Sequence, residues 1–392
     1  FTACSTEYVP PVDVTLDAKS AQLVTQSNEF GFNLFEEIVA NEAPGKNLMI
    51  SPLSANQALS MTLNGARENT FDQMNTVLGN SKLSIDEVNT ANKTLADVLL
   101  NRDSKVQLSI ANSIWYRNDF NVKSEFLNTN KQFYKAEVSD FNPSQPDKAL
   151  KTINDWVSTN TKGKIPSIIE KINNDDVMFL INAVYFKGEW KTKFEKSKTS
   201  NEPFTLDNGT VRQVPTMMGE VSLSYYNDEK FSVIKLPYGA GKFNLYVYLP
   251  EEGVTTSEIA PLIHTTNFEL LKSQSLSKRE IWLPKFEFKY EISMNDALFN
   301  LGMTDAFSRN LANLKGIADA DLFISQVKQK TWIKTDESGS EAAAATSVTV
   351  GVTSVGPSET IKIDRSFLFA IVEEDTHAVL FVGRMFDPTL SE

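Results

Sequence analysis

The 392-residue chain carries 50 acidic and 38 basic side chains, a net charge of −12, with 41% hydrophobic and 22% charged residues. That balance is ordinary for a folded protein and excludes a fibrous or largely disordered chain, while the acidic excess excludes a nucleic-acid partner, which needs clustered Lys and Arg. No run reaches the roughly 18 apolar residues of a membrane-spanning helix, and a chain this long can bury about three quarters of its unfolded surface.

In chain order, residues 1–19 are expected to form a flexible polar arm containing Pro10-Pro11, followed by a single domain over 20–392. Phe1-Thr2-Ala3-Cys4-Ser5 resembles the end of a bacterial lipoprotein signal, where a small residue precedes a cysteine that becomes acylated. The pattern prefers an aliphatic residue where Phe1 stands, so a lipidated Cys4 and a plain free thiol both remain open. The lipidated reading implies a cleaved leader. Cys4 is the sole cysteine, so no intrachain disulfide is expected, and a core of this size needs none. Leu23, Phe30, Leu34, Phe35 and Ile38 fall at helical spacing and predict a helix over 20–40. Residues 54–63 repeat the pattern, with Ser51 and Pro52 as its start signal. Strands are predicted over 106–116, 177–186, 231–236 and 243–249, the last two joined by a Pro237–Gly241 hairpin turn. Further strand character runs through 281–290 and 367–381. Helices early and strands later make the expected class α+β.

Catalytic signals are missing. The two histidines, His264 and His377, read as surface residues, and no G-x-S-x-G, H-E-x-x-H, C-x-x-C, Walker or G-x-G-x-x-G motif occurs. With one Cys and two distant His, neither a metal site nor a cofactor is expected, nor enzymatic activity.

The most informative stretch runs from Glu337 to Ser354. Ala342, Ala343, Ala344 and Ala345 are all small, yet the residues alternate with period two: Ser340, Ala342, Ala344, Thr346, Val348, Val350 and Val352 share one face. Two readings fit, an ordinary strand after a glycine turn, or a strand-competent segment that works as a loop.

Several segments together resemble the serpin family, and a bacterial inhibitory member in particular. They are Asn47-Leu-Met-Ile-Ser51-Pro52-Leu-Ser54 with Gly65-Ala66, Asn69-Thr70, Met74 and Leu78 following in register, Asn182-Ala-Val-Tyr-Phe-Lys-Gly-Glu-Trp190, Leu283-Pro284-Lys285-Phe286 and Gly302-Met-Thr-Asp-Ala-Phe307. Phe367-Leu-Phe-Ala-Ile and Leu380-Phe-Val-Gly383-Arg with Asp387-Pro388 complete the series, so the matches run in order from about residue 30 to 388. The resemblance implies three β-sheets, about nine helices and an exposed reactive-centre loop over about 337–366.

It further implies a suicide-substrate inhibitor of serine proteases, in which the loop is cleaved, an acyl-enzyme forms, and the freed loop inserts into the central sheet. The hinge is then Glu337, Gly339, Ser340 and Ala342–Ala345, whose short side chains suit insertion. Ser51, Ser54 and Asn182 would lie beneath the opening strands with Gln329, which stands where relatives often carry histidine. Trp190 would close the central strand, and Lys285 is expected to pair with Glu337. Family spacing places the scissile bond at Thr353-Ser354, while counting back from Phe367 gives a bond near Val355-Gly356. Between Ala342 and Ser358 there is no Lys, Arg, Phe, Tyr, Leu or Met, so elastase-like proteases are the expected targets, with subtilisin-like and cysteine proteases left open. The stretch matching a heparin-binding helix, 81–100, is slightly acidic, so no heparin binding is expected. The protein is expected to be monomeric and extracytoplasmic, secreted or held at the cell envelope through lipidated Cys4, its sole route to a membrane. The alternative is a non-inhibitory serpin acting as a carrier or chaperone-like binding protein.

Overall fold

The computed structural model describes residues 12–43, 45–173, 176–340 and 360–391. The helix predicted from residue 20 begins two residues earlier: in α1 (Ala18–Asn41) the carboxylate of Asp17 accepts from the backbone of Lys19 and Ser20 and caps the first turn. After β1 (Leu48–Ile50), α2 (Pro52–Leu63) is capped by Ser51, with Pro52 at a position whose missing N–H costs nothing. α3 (Glu68–Val77) and α4 (Ile85–Leu99) follow, the latter behind a Ser84–Glu87 capping box. Next come β2 (Val106–Arg117), α5 (Ser124–Tyr134), β3 (Glu137–Phe141), α6 (Pro146–Asn160) and β4 (Met178–Glu189).

The second half is mostly strand: β5 (Ser200–Thr205), β6 (Val211–Asn227), β7 (Phe231–Tyr238) and β8 (Phe243–Pro250). Short helices α7 (Thr256–Ile259) and α8 (Phe268–Ser273) precede β9 (Ser277–Pro284), β10 (Phe286–Ser293) and α9 (Asn295–Asn300). β11 (Lys328–Asp336), β12 (Gly339–Ser340), β13 (Ile361–Lys362), β14 (Phe367–Glu373) and β15 (Val379–Met385) close the chain. The run 281–290, read as one strand, is two: β9 ends at Pro284 and β10 begins at Phe286 in a different sheet. Proline has no N–H to continue a ladder. The stretch 367–381 likewise resolves into a hairpin of β14 and β15.

The class is α+β as expected, with nine α-helices among the described residues. One sheet has the order β10-β11-β12-β4-β2-β3. The other strands form a nine-stranded network, β1-β15-β14-β8-β7-β6-β9-β13 with β5 beside β6. Here β6 serves two ladders: residues 216–223 pair with β9 and 224–227 with β7. The three sheets expected are thus one separate sheet and two that share a strand. β7, β8, β14 and β15 are buried along their whole length. α2, buried nearly all round, packs against β4 of one sheet and β15 of the other.

Residues 12–14, part of the stretch expected to be a loose arm, are tied down. Val14 N–H donates to Asp375 at 3.2 Å, and the Val12 carbonyl accepts from Arg102 at 2.8 Å. His377, expected at the surface, is largely buried: its ring stacks on Phe268 at 5.9 Å, and burial lowers its pKa.

Candidate functional site

β11 and β4 are not paired with each other; they are joined through β12, which is two residues long. Gly339 stands opposite Glu189 and Asp336, and Ser340 opposite Gly188 and Thr335. Here the described chain enters the sheet as a strand. Entry needs a glycine at 339, where φ is +145° and a Cβ would lie 2.1 Å from the Gly188 carbonyl oxygen. The Ser340 side chain turns inward, 2.7 Å from the Tyr238 hydroxyl and 3.3 Å from that of Thr335.

Around this entry point sit Glu337, Lys285 and Trp190. The Glu337 carboxylate is buried and accepts from Lys285 Nζ at 3.0 Å and from the Thr199 hydroxyl at 2.8 Å. Burial alone would raise its pKa, but its own backbone N–H, Lys285 and Thr199 outweigh that and lower it. The Trp190 indole lies flat on Tyr238 with centroids 4.6 Å apart and donates from Nε1 to the Asp336 carbonyl at 2.8 Å. Its backbone N–H reaches the Ser338 carbonyl at 2.9 Å. The entry is held by a charge pair and by aromatic stacking.

Below this point, no described strand lies between β4 and β11. From Lys187 down one strand and Lys334 down the other, the facing edges carry no ladder bonds among the described residues. A cavity of about 990 Å³ occupies the lower part of this gap, lined by Ser54 and Leu59 of α2, Leu180 and Asn182 of β4, and Phe323 and Gln329 opposite. Its floor is polar. Gln329 makes a reciprocal pair with Ser51, accepting from its N–H at 2.8 Å and donating to its carbonyl at 3.1 Å. The Ser51 hydroxyl donates to the Leu380 carbonyl at 2.7 Å. Asn182 donates to Gln57 at 3.1 Å and to Asn112 at 2.6 Å, and its side-chain oxygen is buried without a partner. A buried acceptor left unpaired costs about 1–3 kcal/mol.

The predicted site residues thus form two groups. Glu337, Gly339, Ser340, Lys285 and Trp190 gather at the top of the gap. Ser51, Ser54, Asn182 and Gln329 gather at its lower part. Ala342–Ala345, Thr353, Ser354 and Cys4 lie outside the described residues. Sequence reasoning missed Tyr238, Thr199, Gln57 and Asn112. Asn112 had a readable signal, a polar residue at an inward position of an alternating strand; the others are set only by tertiary contact. No group of three or more His, Cys, Asp or Glu among the described residues is placed to hold a metal, and no described helix is long and apolar enough to cross a membrane.

The family model described as Serpin (serine protease inhibitor) matches residues 25–388. Human leukocyte elastase inhibitor is 31% identical over 382 residues, covering 94% of this chain and all of that protein. The thermophilic serpin Tengpin in its native state superposes with a TM-score of 0.84 at 34% identity, covering 97% of each chain. Human thyroxine-binding globulin complexed with thyroxine superposes at 0.85 with 28% identity, covering 95% of this chain and all of that one.

Proposed function

Because the chain belongs to the serpin family, we propose that it inhibits serine proteases by offering its reactive-centre loop, about 337–366, for cleavage and then burying the part of the loop that precedes the cut as a new strand between β4 and β11. The supporting observation is β12, a ladder begun at Gly339 and Ser340 between β4 and β11, with no described strand between those two below it and a cavity in the lower part of that gap. Continued in the same register, Ala342 would face Phe186 and Ile333, and Ala344 would face Val184 and Thr331. Thr346 would fall between Asn182 and Gln329, where its hydroxyl could donate to the unpartnered Asn182 oxygen. Glu341, on the outer face, would sit between Lys187 and Lys334. Strand addition after cleavage is known serpin behaviour rather than something deduced from this chain. About a dozen new backbone hydrogen bonds at about 1 kcal/mol each make on the order of 10 kcal/mol available. A displacement of about 1 Å in a bound protease's catalytic site costs about a hundredfold in rate, enough to stall deacylation.

The absence of cationic or large apolar residues between Ala342 and Ser358 favours elastase-like targets, and family spacing counted from Glu337 favours Thr353-Ser354 over the bond near Val355-Gly356 as the one cut. Similarity to leukocyte elastase inhibitor supports the same class. On this reading the protein works as an extracytoplasmic monomer, held to a membrane only if Cys4 is acylated. The test is incubation with pancreatic elastase, followed by denaturing electrophoresis and mass spectrometry. A complex that survives SDS, with a released peptide beginning at Ser354, is expected. Clean cleavage without a complex from elastase, trypsin, subtilisin and papain alike would overturn the inhibitory reading. It would favour a carrier, the second reading, which the likeness to thyroxine-binding globulin supports.

A further inference from the structure

Val12, Asp13 and Val14 lie against a buried charge cluster remote from them in sequence. Lys242 Nζ contacts the Asp13 carboxylate, Arg102 donates to the Val12 carbonyl at 2.8 Å, and Asp375 accepts from Val14 N–H at 3.2 Å. The Asp375 side chain is fully buried and also takes Arg102, Lys242 at 2.8 Å and Lys272 at 3.0 Å. Fully buried Glu373 accepts from Arg102 Nε at 2.9 Å and from the Thr376 hydroxyl at 2.6 Å. Lys235 and Glu374 pair alongside at 2.5 Å. Among these directly paired groups the four cations meet only three carboxylates without Asp13; the Asp13 carboxylate is itself largely exposed, but the Lys242 it meets is nearly buried, and losing Asp13 would leave that cation with Asp375 alone.

The cluster lies directly behind the top of the gap. Lys242 follows the turn between β7 and β8, where Ala240 N–H donates to Asp103, next to Arg102, at 2.6 Å. The same turn grips the end of β4. Gly239 N–H donates to the Glu189 carbonyl at 2.7 Å, Lys191 N–H to the Pro237 carbonyl at 2.9 Å, and Tyr238 carries the Trp190 ring. Glu189 and Trp190 are the residues that β12 and its approach engage. We infer that residues 12–14 are a clip: they complete the charge cluster, fix the β7–β8 turn, and through it restrain the end of β4 that borders the gap. That the clip thereby sets how readily the gap lengthens rests on the trapping reading; the clip itself does not.

The test is hydrogen–deuterium exchange on the full chain, comparing the parent with Asp13→Asn and Asp13→Lys, read in peptides spanning the 237–243 turn and residues 186–191. Both regions should exchange about three- to tenfold faster in Asp13→Lys and less so in Asp13→Asn. Acceleration confined to the turn would sink the link to β4, and unchanged exchange in both regions would sink the clip. Should Asp13→Lys fail to fold, the chain shortened to begin at Leu16 is incubated with a synthetic peptide of residues 8–15. Restored protection by that peptide, and none by its Asp13→Asn version, is the expected result; equal effects of the two peptides would overturn the role of the carboxylate. A protein that traps no protease but shows the exchange pattern would fail the functional proposal and keep the clip.

Discussion

Lys285 and Glu337 lie 52 positions apart and meet because β9 ends at Pro284 just where the chain changes sheets. The carboxylate is buried while Lys285 is about one-third exposed, so the pair is worth less than a fully dry one. Lys285→Ala should lower stability to urea by about 1–2 kcal/mol at pH 7. Glu337 has its pKa lowered in the folded protein, so its contribution is present above the ordinary value of 4.5 and is lost as pH falls through the folded value. The parent should therefore lose stability on acidification more steeply than Lys285→Ala, which urea melts from pH 7 to pH 3 will show. Gln329 gives a second prediction. It both donates to and accepts from the Ser51 backbone, and a neutral histidine could do the same, whereas a protonated one has only donors. Gln329→His should be near parent stability at pH 8 and weaker by about 1 kcal/mol or more at pH 5. At this scale the family resemblance led to Lys285, Glu337 and Gln329. Tyr238 and Thr199 stayed invisible, because their partners come from tertiary contacts that no local spacing encodes.

At the scale of single elements, the hinge makes the sharpest demand. Ser340 turns into the core against Tyr238 and Thr335, so a long charged residue there would carry a charge into a dry site each time the strand formed. Ser340→Arg should be cut by elastase at a parent-like rate yet yield little SDS-stable complex, measured as the ratio of cleaved chain to complex. Element boundaries were legible where local chemistry marks them. Ser51 and Pro52 start α2, and the glycine-rich turn after Pro237 separates β7 from β8. They were not legible in 281–290, where the apolar alternation runs on through Pro284 and Lys285 while the chain passes from one sheet to another. Period two reports which face is buried, but not which sheet buries it. The docking of residues 12–14 was hidden for a related reason: a short segment with one charge beside two prolines reads as loose unless its distant counter-charges are known.

For the molecule as a whole, the trapping reading makes the gap between the described parts of β4 and β11 a sign that the uncut protein is not in its most stable arrangement. Cleavage by elastase should raise the thermal midpoint by on the order of 10 °C or more, measured by calorimetry on the isolated cleaved protein. Heparin should leave the rate of elastase inhibition unchanged, since α4 carries Lys93 against Asp86, Glu87 and Asp97, and polyanions seek clustered cations. The two-residue β12 also has a consequence for a vial on a shelf. On the trapping reading, a ladder with room to lengthen makes the useful life of a stock a matter of rate rather than of equilibrium. If the open edge is taken up by the same molecule, potency should decay as a first-order process that dilution leaves untouched. If it is taken up by a neighbour, halving the concentration should slow the loss, and the spent material should elute as oligomers.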